Sequence, residues 1–259
     1  MRRFLALGLG GSILSALVFL RAEQVRVKDE VAAIRERQEA ASLIIEDMAR
    51  KPAALAATST LEGQEPHPVV SLEGALVIGS AGARVGILEF GDYECPYCAR
   101  LAEESLPRLK AEYVSKGLVK YAFMNFPLES IHPYAREAAE AALCADEQGK
   151  FWNMHERLFT ARGRLDKVAV AVMAEEMTLD PSRFRECVSS TRPSERVRMH
   201  QSVGRAHSVQ STPTTLVGFL GPQLTLKVVY RLSGARPFDE LRARIEQMLN
   251  AVRPEGVSP

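Results

Sequence analysis

Apolar residues follow four successive patterns along this chain. Behind the basic start Met1-Arg2-Arg3, the run from Phe4 to Leu20 carries no charge. This is the pattern of an export signal. It ends Val18-Phe19-Leu20-Arg21, without the small-x-small site that a cleaved signal needs, so 1–21 reads as an uncleaved signal anchor, with a cleaved signal peptide as the alternative. From Glu23 to Arg50 there is no Gly or Pro, and Val27, Val31, Ile34, Gln38, Ala41, Ile45 and Met48 recur four and three apart. A seam of this period, about three heptads long, predicts a helical stalk over 22–51 that covers its stripe by self-association as a coiled coil, or else a plain solvated helix. Residues 52–70, rich in Ala, Thr, Gly and Pro as far as Pro68, lose all periodicity and read as a linker.

Beyond the linker, short apolar runs and helix-period stretches take turns. Val85 to Phe90 and Val119 to Met124 read as buried strands, with a helical pattern between Pro96 and Ser115. Helices are then predicted at 133–147, 150–161, 166–178, 181–189 and 194–208. Strand patterns return at 214–217 and 224–230 around a Gly221-Pro222 turn, and a helix over 238–252 closes the pattern before a tail at 253–259. A strand–helix–strand half, a helical insert at about 130–208 and a hairpin–helix half make one α/β domain over 71–252.

Composition narrows the function classes. With 259 residues, 46% apolar and 25% charged, the chain can bury a sizeable core. A net charge of +1 gives no whole-protein field for gripping nucleic acid. Aromatic content of 7% and mean hydropathy of −0.08 exclude a polytopic membrane protein. Four cysteines are too few for a disulfide-stapled miniprotein but enough for two pairs.

Two of them form Cys95-Pro96-Tyr97-Cys98, after a predicted strand and at the opening of a predicted helix. A thiolate at a helix N-terminus faces unpaired N–H groups and the positive end of the dipole, which lower its pKa. Cys95, at the exposed start, is the expected attacking thiolate. Cys98, one turn in, is the resolving thiol that releases a mixed disulfide. The rival use, half of a zinc site, needs two further ligands, and Cys144 and Cys187 do not form a second C-x-x-C. No metal or cofactor is expected.

The segment Phe90-Gly91-Asp92-Tyr93-Glu94-Cys95-Pro96-Tyr97-Cys98 resembles the active-site segment of DsbA-like thiol–disulfide oxidoreductases of the thioredoxin superfamily. The resemblance extends through Asn125-Phe126-Pro127-Leu128, Ile131-His132-Pro133, Cys144, Gly149-Lys150-Phe151-Trp152, Met154-His155 and Ser211-Thr212-Pro213-Thr214. It implies a thioredoxin-like fold with an inserted helical domain. It also implies that Pro213, with Thr212, forms the cis-proline loop facing the redox cysteines; the alternative is a trans proline starting a strand. Glu89 matches the family's buried acid, which relays protons as Cys98 attacks; alternatively it is a half-exposed strand residue. Cys144 and Cys187 match cysteines of relatives and are the candidate structural disulfide, against two buried free thiols. Pro96-Tyr97 is the active-site dipeptide, and Cys-Pro-Tyr-Cys also occurs in glutaredoxins, which lack the helical insert and the export segment. His132 reads as a helix-start residue, and Trp152 and His155 as packing.

Resemblance and export segment together imply an extracytoplasmic oxidoreductase on the periplasmic side of the inner membrane. Its partners would be exported cysteine-containing proteins, a quinone-coupled membrane redox partner and, through the stalk, further copies of itself. A DsbA-like oxidase is the leading expectation. An oligomeric isomerase or reductase is the alternative, and a non-enzymatic holdase is disfavoured by the intact cysteine pair.

Overall fold

The structure is a computed structural model that describes residues 68–161 and 165–252, together with Lys28, Ala32 and Arg35. The chain divides into two compact units, Met1–Gln64 and Glu65–Pro259. In the first, Lys28, Ala32 and Arg35 are helical and exposed. The anchor, the seam positions of the stalk, the linker as far as residue 67 and the tail lie outside the described residues. Among the described residues no helix is long and apolar enough to cross a membrane.

The second unit is built on one six-stranded sheet. At its centre β3 (Val85–Gly91) runs parallel to β4 (Val119–Asn125), with Ile87 opposite Tyr121 and Glu89 opposite Phe123. On its other side β3 pairs antiparallel with β5 (Thr214–Gly221), which places Glu89 opposite Thr215. Strand β6 (Thr225–Ser233) adds antiparallel to β5, with an irregularity at Val217/Gly218. A Cβ on Gly218 would stand 2.1 Å from the Lys227 carbonyl oxygen, so a glycine is required at that close approach. Two short strands, β1 (Val69–Ser71) beside β6 and β2 (Leu76–Ile78) beside β4, give the order β1–β6–β5–β3–β4–β2. All of β3 is buried, which is why its sequence is a nearly continuous apolar run rather than an alternation.

Alternate residues of the central strands serve two cores. Val85, Ile87, Tyr121, Phe123 and Val217 face a large core shared with most of the helices. Leu88, Phe90, Ala122, Met124, Leu216 and Leu226 face a smaller one with Phe126 and Val209.

The helical run α1 (96–114) is less regular than its pattern predicts. It is α-helical at Pro96–Arg100 and Leu106–Leu109 but π-helical at Leu101–Ser105 and Lys110–Val114. Pro107 explains the first widening. It has no N–H, and its ring displaces the carbonyl four residues back. The Leu106 N–H accordingly reaches Leu101, five residues back.

The helical block comprises α2 (Ala135–Asp146), α3 (Phe151–Thr160), α4 (Lys167–Glu176), α5 (Pro181–Ser189) and α6 (Arg192–Ala206). Helix α2 is its centre: six alanines, Leu143 and Cys144 are buried around almost its whole girth. Asp166 and Asp180 cap α4 and α5, each accepting two backbone N–H groups of the first turn. Cys144 on α2 and Cys187 on α5 are joined by a disulfide. Finally α7 (Phe238–Ala251) lays Phe238, Leu241, Ile245 and Met248 on the large core.

Three local features depart from the sequence reading. Strands β1 and β2, three residues each, are too short to show a period, and β1 begins inside the stretch assigned to the linker, where Val69 pairs with Lys227. The hairpin turn at Gly221-Pro222 is a 3-10 turn, Pro222–Leu224, with Gln223 and Leu224 at positive φ. The helices of the insert span Ala135 to Ala206, a few residues inside the predicted limits of 130–208.

Candidate active site

Strand β3 delivers the chain to a tight turn, and the turn delivers Cys95 to the start of α1. Cys95 is the N-cap, with extended backbone (φ −75, ψ 119), and Pro96 occupies the first turn, where its missing N–H costs no hydrogen bond. Cys95 is 4% exposed, Cys98 is fully buried and Tyr97 between them is 54% exposed. Both cysteines are free thiols in this structure.

Opposite them lies the loop that leads into β5. The Thr212–Pro213 peptide is cis. The Cys95 thiol donates to the Thr212 carbonyl oxygen at 3.3 Å. The loop is pinned on either side, by Thr214 Oγ1 to the Ser211 carbonyl at 2.7 Å and by the Gly234 N–H to the Pro213 carbonyl at 2.8 Å. Topology therefore brings together segments more than a hundred residues apart.

The two thiols are electrostatically unlike. A hydrogen bond from Cys98 pulls the Cys95 pKa down to about 5, aided by the Thr212 side chain and by the N–H groups of Cys98 and Tyr97 at the helix start, against the opposing effect of burial. Cys98 moves the other way. Burial pushes its pKa well up, and the hydrogen bond it gives to Cys95 and the charge of Glu89 add to that. The Asp92 N–H donates to Cys98 Sγ at 3.5 Å and partly offsets the rise.

Glu89 lies on β3, on the large-core face of the sheet, and is 1% exposed. Burial raises its pKa to about 7, despite a hydrogen bond from the Tyr121 hydroxyl to Oε2. Among the described residues Oε1 has no hydrogen-bond partner. Gly91 is part of this arrangement, since a Cβ there would stand 2.4 Å from the Phe123 ring and 3.1 Å from Glu89 Oε1. An acid poised near neutrality and coupled to both cysteines can give or take a proton at neutral pH.

Further residues belong to this region that the sequence reading left aside or read as packing. Tyr93 places its hydroxyl 3.2 Å from His155 Nδ1. The His155 ring sits among Phe123, Phe151, Phe159 and Trp152, and burial lowers its pKa to about 3, so it is a neutral aromatic partner. The Asp92 side chain accepts from Glu94 N–H at 2.8 Å, Leu128 N–H at 2.7 Å and His132 Nδ1 at 2.8 Å. His132 reads in sequence as a helix-start residue; its partner lies 40 positions away, a separation to which no local pattern is sensitive. Among the described residues no group of three or more His, Cys, Asp or Glu is arranged to hold a metal ion.

Comparison with known proteins bears on the family and the fold. A family model described as thioredoxin matches residues 71–219, more than half of the chain. Disulfide bond formation protein D of Bacillus subtilis is 25% identical over 185 residues, which cover 69% of this chain and 79% of that protein. The structure of oxidised BdbD from Bacillus subtilis superposes with a TM-score of 0.60 at 24% identity, covering 70% of this chain and 96% of that one. The Na(+)/H(+) antiporter NhaA 3 of Salinispora tropica is 39% identical over 141 residues, 54% of this chain. The match spans 21% of the antiporter's own length.

Proposed function

The chain belongs to the thioredoxin family as a DsbA-like thiol–disulfide oxidoreductase, and on that premise we propose that it oxidises cysteine pairs of exported proteins through Cys95 and Cys98. A substrate thiolate attacks Cys95 Sγ of the Cys95–Cys98 disulfide. The disulfide breaks, a substrate–Cys95 bond forms, and Cys98 leaves with the electron pair. Glu89 supplies the proton that Cys98, held in a site that disfavours its thiolate, then takes up. A second substrate thiolate attacks the first substrate sulfur and releases Cys95 as a thiolate. Two electrons have passed from substrate to protein, and a quinone-coupled membrane partner removes them. Thr212 and Pro213 form the wall against which the substrate segment lies.

One observation supports the oxidising direction above the others: the Cys95 pKa of about 5. A stabilised thiolate favours the reduced protein, and a protein that prefers to be reduced is an oxidant of its substrates. Equilibration with glutathione buffers tests this. The expected reduction potential lies above about −180 mV; one near about −270 mV, in the range of reducing thioredoxins, would overturn the direction.

A second reading, an oligomeric isomerase or reductase, is favoured by the heptad seam from Val27 to Met48. It predicts a dimer or trimer for a chain starting at Glu23 and a monomer for one starting at Ser71, with refolding of scrambled substrates faster for the longer chain. A longer chain that sediments as a monomer at tens of micromolar removes this reading. Ion transport is not proposed, because the chain corresponds to about a fifth of the antiporter's length.

A further inference from the structure

The motif Ile131-His132-Pro133 and the buried carboxylate of Asp92 have no part in the exchange step described above, yet they touch its buried sulfur through one residue. Asp92 is 1% exposed, and its side chain is saturated from two directions. Oδ1 accepts the Glu94 N–H, which closes the turn ahead of Cys95. Oδ2 accepts the Leu128 N–H and the His132 side chain. A carboxylate oxygen only accepts, so His132 Nδ1 carries the proton of that bond.

Leu128 and His132 are the two ends of a single turn, because the Leu128 carbonyl accepts the N–H groups of Ile131 and His132, both at 3.0 Å. One carboxylate oxygen therefore grips the turn at both ends. Neighbouring bonds run the same way: Phe126 N–H to the Gly91 carbonyl at 2.7 Å, and Tyr134 N–H to Glu94 Oε2 at 2.5 Å. Pro133 keeps His132 out of helical backbone, so its side chain cannot be drawn into α2. The residue held by all this is Asp92, whose own N–H points at Cys98 Sγ.

We infer that Asp92 and His132 form a clamp that fixes the Asp92 amide on Cys98, making them positioning residues for the step in which Cys98 departs from or attacks Cys95. The inference rests on the functional reading above. When the Cys95–Cys98 bond breaks, the electron pair stays on Cys98, and the amide is the backbone donor that meets it. A shift of the turn by a few tenths of an ångström weakens that bond without disturbing the Cys98 and Tyr97 N–H groups that serve Cys95.

The test separates the two sulfurs. Oxidised full-length protein is mixed with dithiothreitol, and the opening of Cys95–Cys98 is followed by acid quenching and thiol labelling. In parallel, alkylation of the reduced protein by iodoacetamide across pH reads Cys95. Loss of one hydrogen bond to a charged sulfur corresponds to about tenfold in rate. His132→Leu and Asp92→Asn are expected to slow opening by about that factor while the Cys95 alkylation midpoint stays in place. His132→Asn, which returns an N–H at the δ position, should recover most of the rate. Wild-type rates in His132→Leu would overturn the clamp. So would a loss that His132→Asn does not repair, or a Cys95 midpoint that moves together with the opening rate. Each variant is checked for folding by its thermal transition, and His132→Asn keeps the question open to refutation if His132→Leu does not fold. Failure of wild-type protein to oxidise a reduced dithiol peptide would instead refute the functional reading.

Discussion

The two cysteine pairs of this chain share an element type and burial in the large core, but not the end of the helix on which they sit. Cys95 and Cys98 open a helix, three residues apart, where unpaired N–H groups favour a thiolate. Cys144 and Cys187 sit in the closing turns of α2 and α5, at the end of the dipole that disfavours one. Both pairs are buried in the large core, and what sets the first apart is its setting: Cys95 donates to the Thr212 carbonyl of the cis-proline loop and is followed two residues on by exposed Tyr97, whereas Cys144 and Cys187 are bonded to each other. On the proposed function, the same atom is reactive or inert according to which end of a helix carries it and which groups surround it.

The sharpest way to break that comparison is to exchange the roles by mutation. Cys95→Ser is expected to abolish oxidation of a dithiol peptide, while Cys98→Ser leaves thiol-sensitive adducts trapped on Cys95, seen as shifted bands on non-reducing gels. Alkylation of reduced wild-type protein near neutral pH, mapped by mass spectrometry, should label Cys95 well before Cys98. Faster labelling of Cys98 would show that the helix start does not confer the reactivity.

Next in size is the structural pair. Closing a loop across 43 positions is worth about 4 kcal/mol in the chain-entropy view. The double replacement of Cys144 and Cys187 by Ala should lower unfolding stability by roughly that amount, measured in urea, and leave peptide oxidation by the folded protein unchanged. Equal loss of stability and of oxidation rate under folding conditions would mean that the two pairs are coupled.

The sequence disclosed the two halves of this comparison unequally. Cys95 and Cys98 were legible because their chemistry is local: two thiols, a proline and a helix start lie within four residues. The central strands and the helical insert were legible because apolar runs and helical periods outlast several turns. Strands β1 and β2, at three residues each, offer no period to read. The first π-helical turn of α1 follows from Pro107, whose presence was visible and whose consequence depends on the helix continuing past it. Asp92 with His132, and Glu89 with Tyr121, are pairs made by the sheet and the loop behind it, and nothing in a linear pattern joins them.

The reactive pair also has a buried acid coupled to it, and titration measures its cost. With its folded pKa raised from 4.5 to about 7, Glu89 favours the folded state at low pH, where both states hold the proton. That contribution is lost as pH rises through about 7, by roughly 3 kcal/mol once the carboxylate must form in the core. Glu89→Gln should therefore be more stable than wild type at pH 8 by an amount approaching that, with little difference at pH 4. The same variant should slow Cys98-dependent exchange. Urea unfolding at the two pH values checks the sign, and parallel curves would show that Glu89 does not titrate in this window.

The smallest effect is expected at Tyr121, the hydroxyl that donates to Glu89 Oε2. Burial raises the Glu89 pKa, and this hydrogen bond is what opposes it. A hydroxyl donor supports a carboxylate more strongly than it supports the protonated acid, because the charged oxygen is the better acceptor. Tyr121→Phe removes the donor and leaves the ring in place against Trp152. The carboxyl then has neither oxygen bonded among the described residues, where Oε1 already has no partner. Net loss of about 1 kcal/mol of support for the charged form moves the Glu89 pKa further up by somewhat less than one unit. Carbon NMR of a labelled Glu89 carboxyl, with Glu89→Gln identifying its resonance, reads this shift directly. An unchanged or lower midpoint would mean that the hydroxyl is held by packing alone, and that the acid coupled to Cys98 is tuned by burial without help from β4.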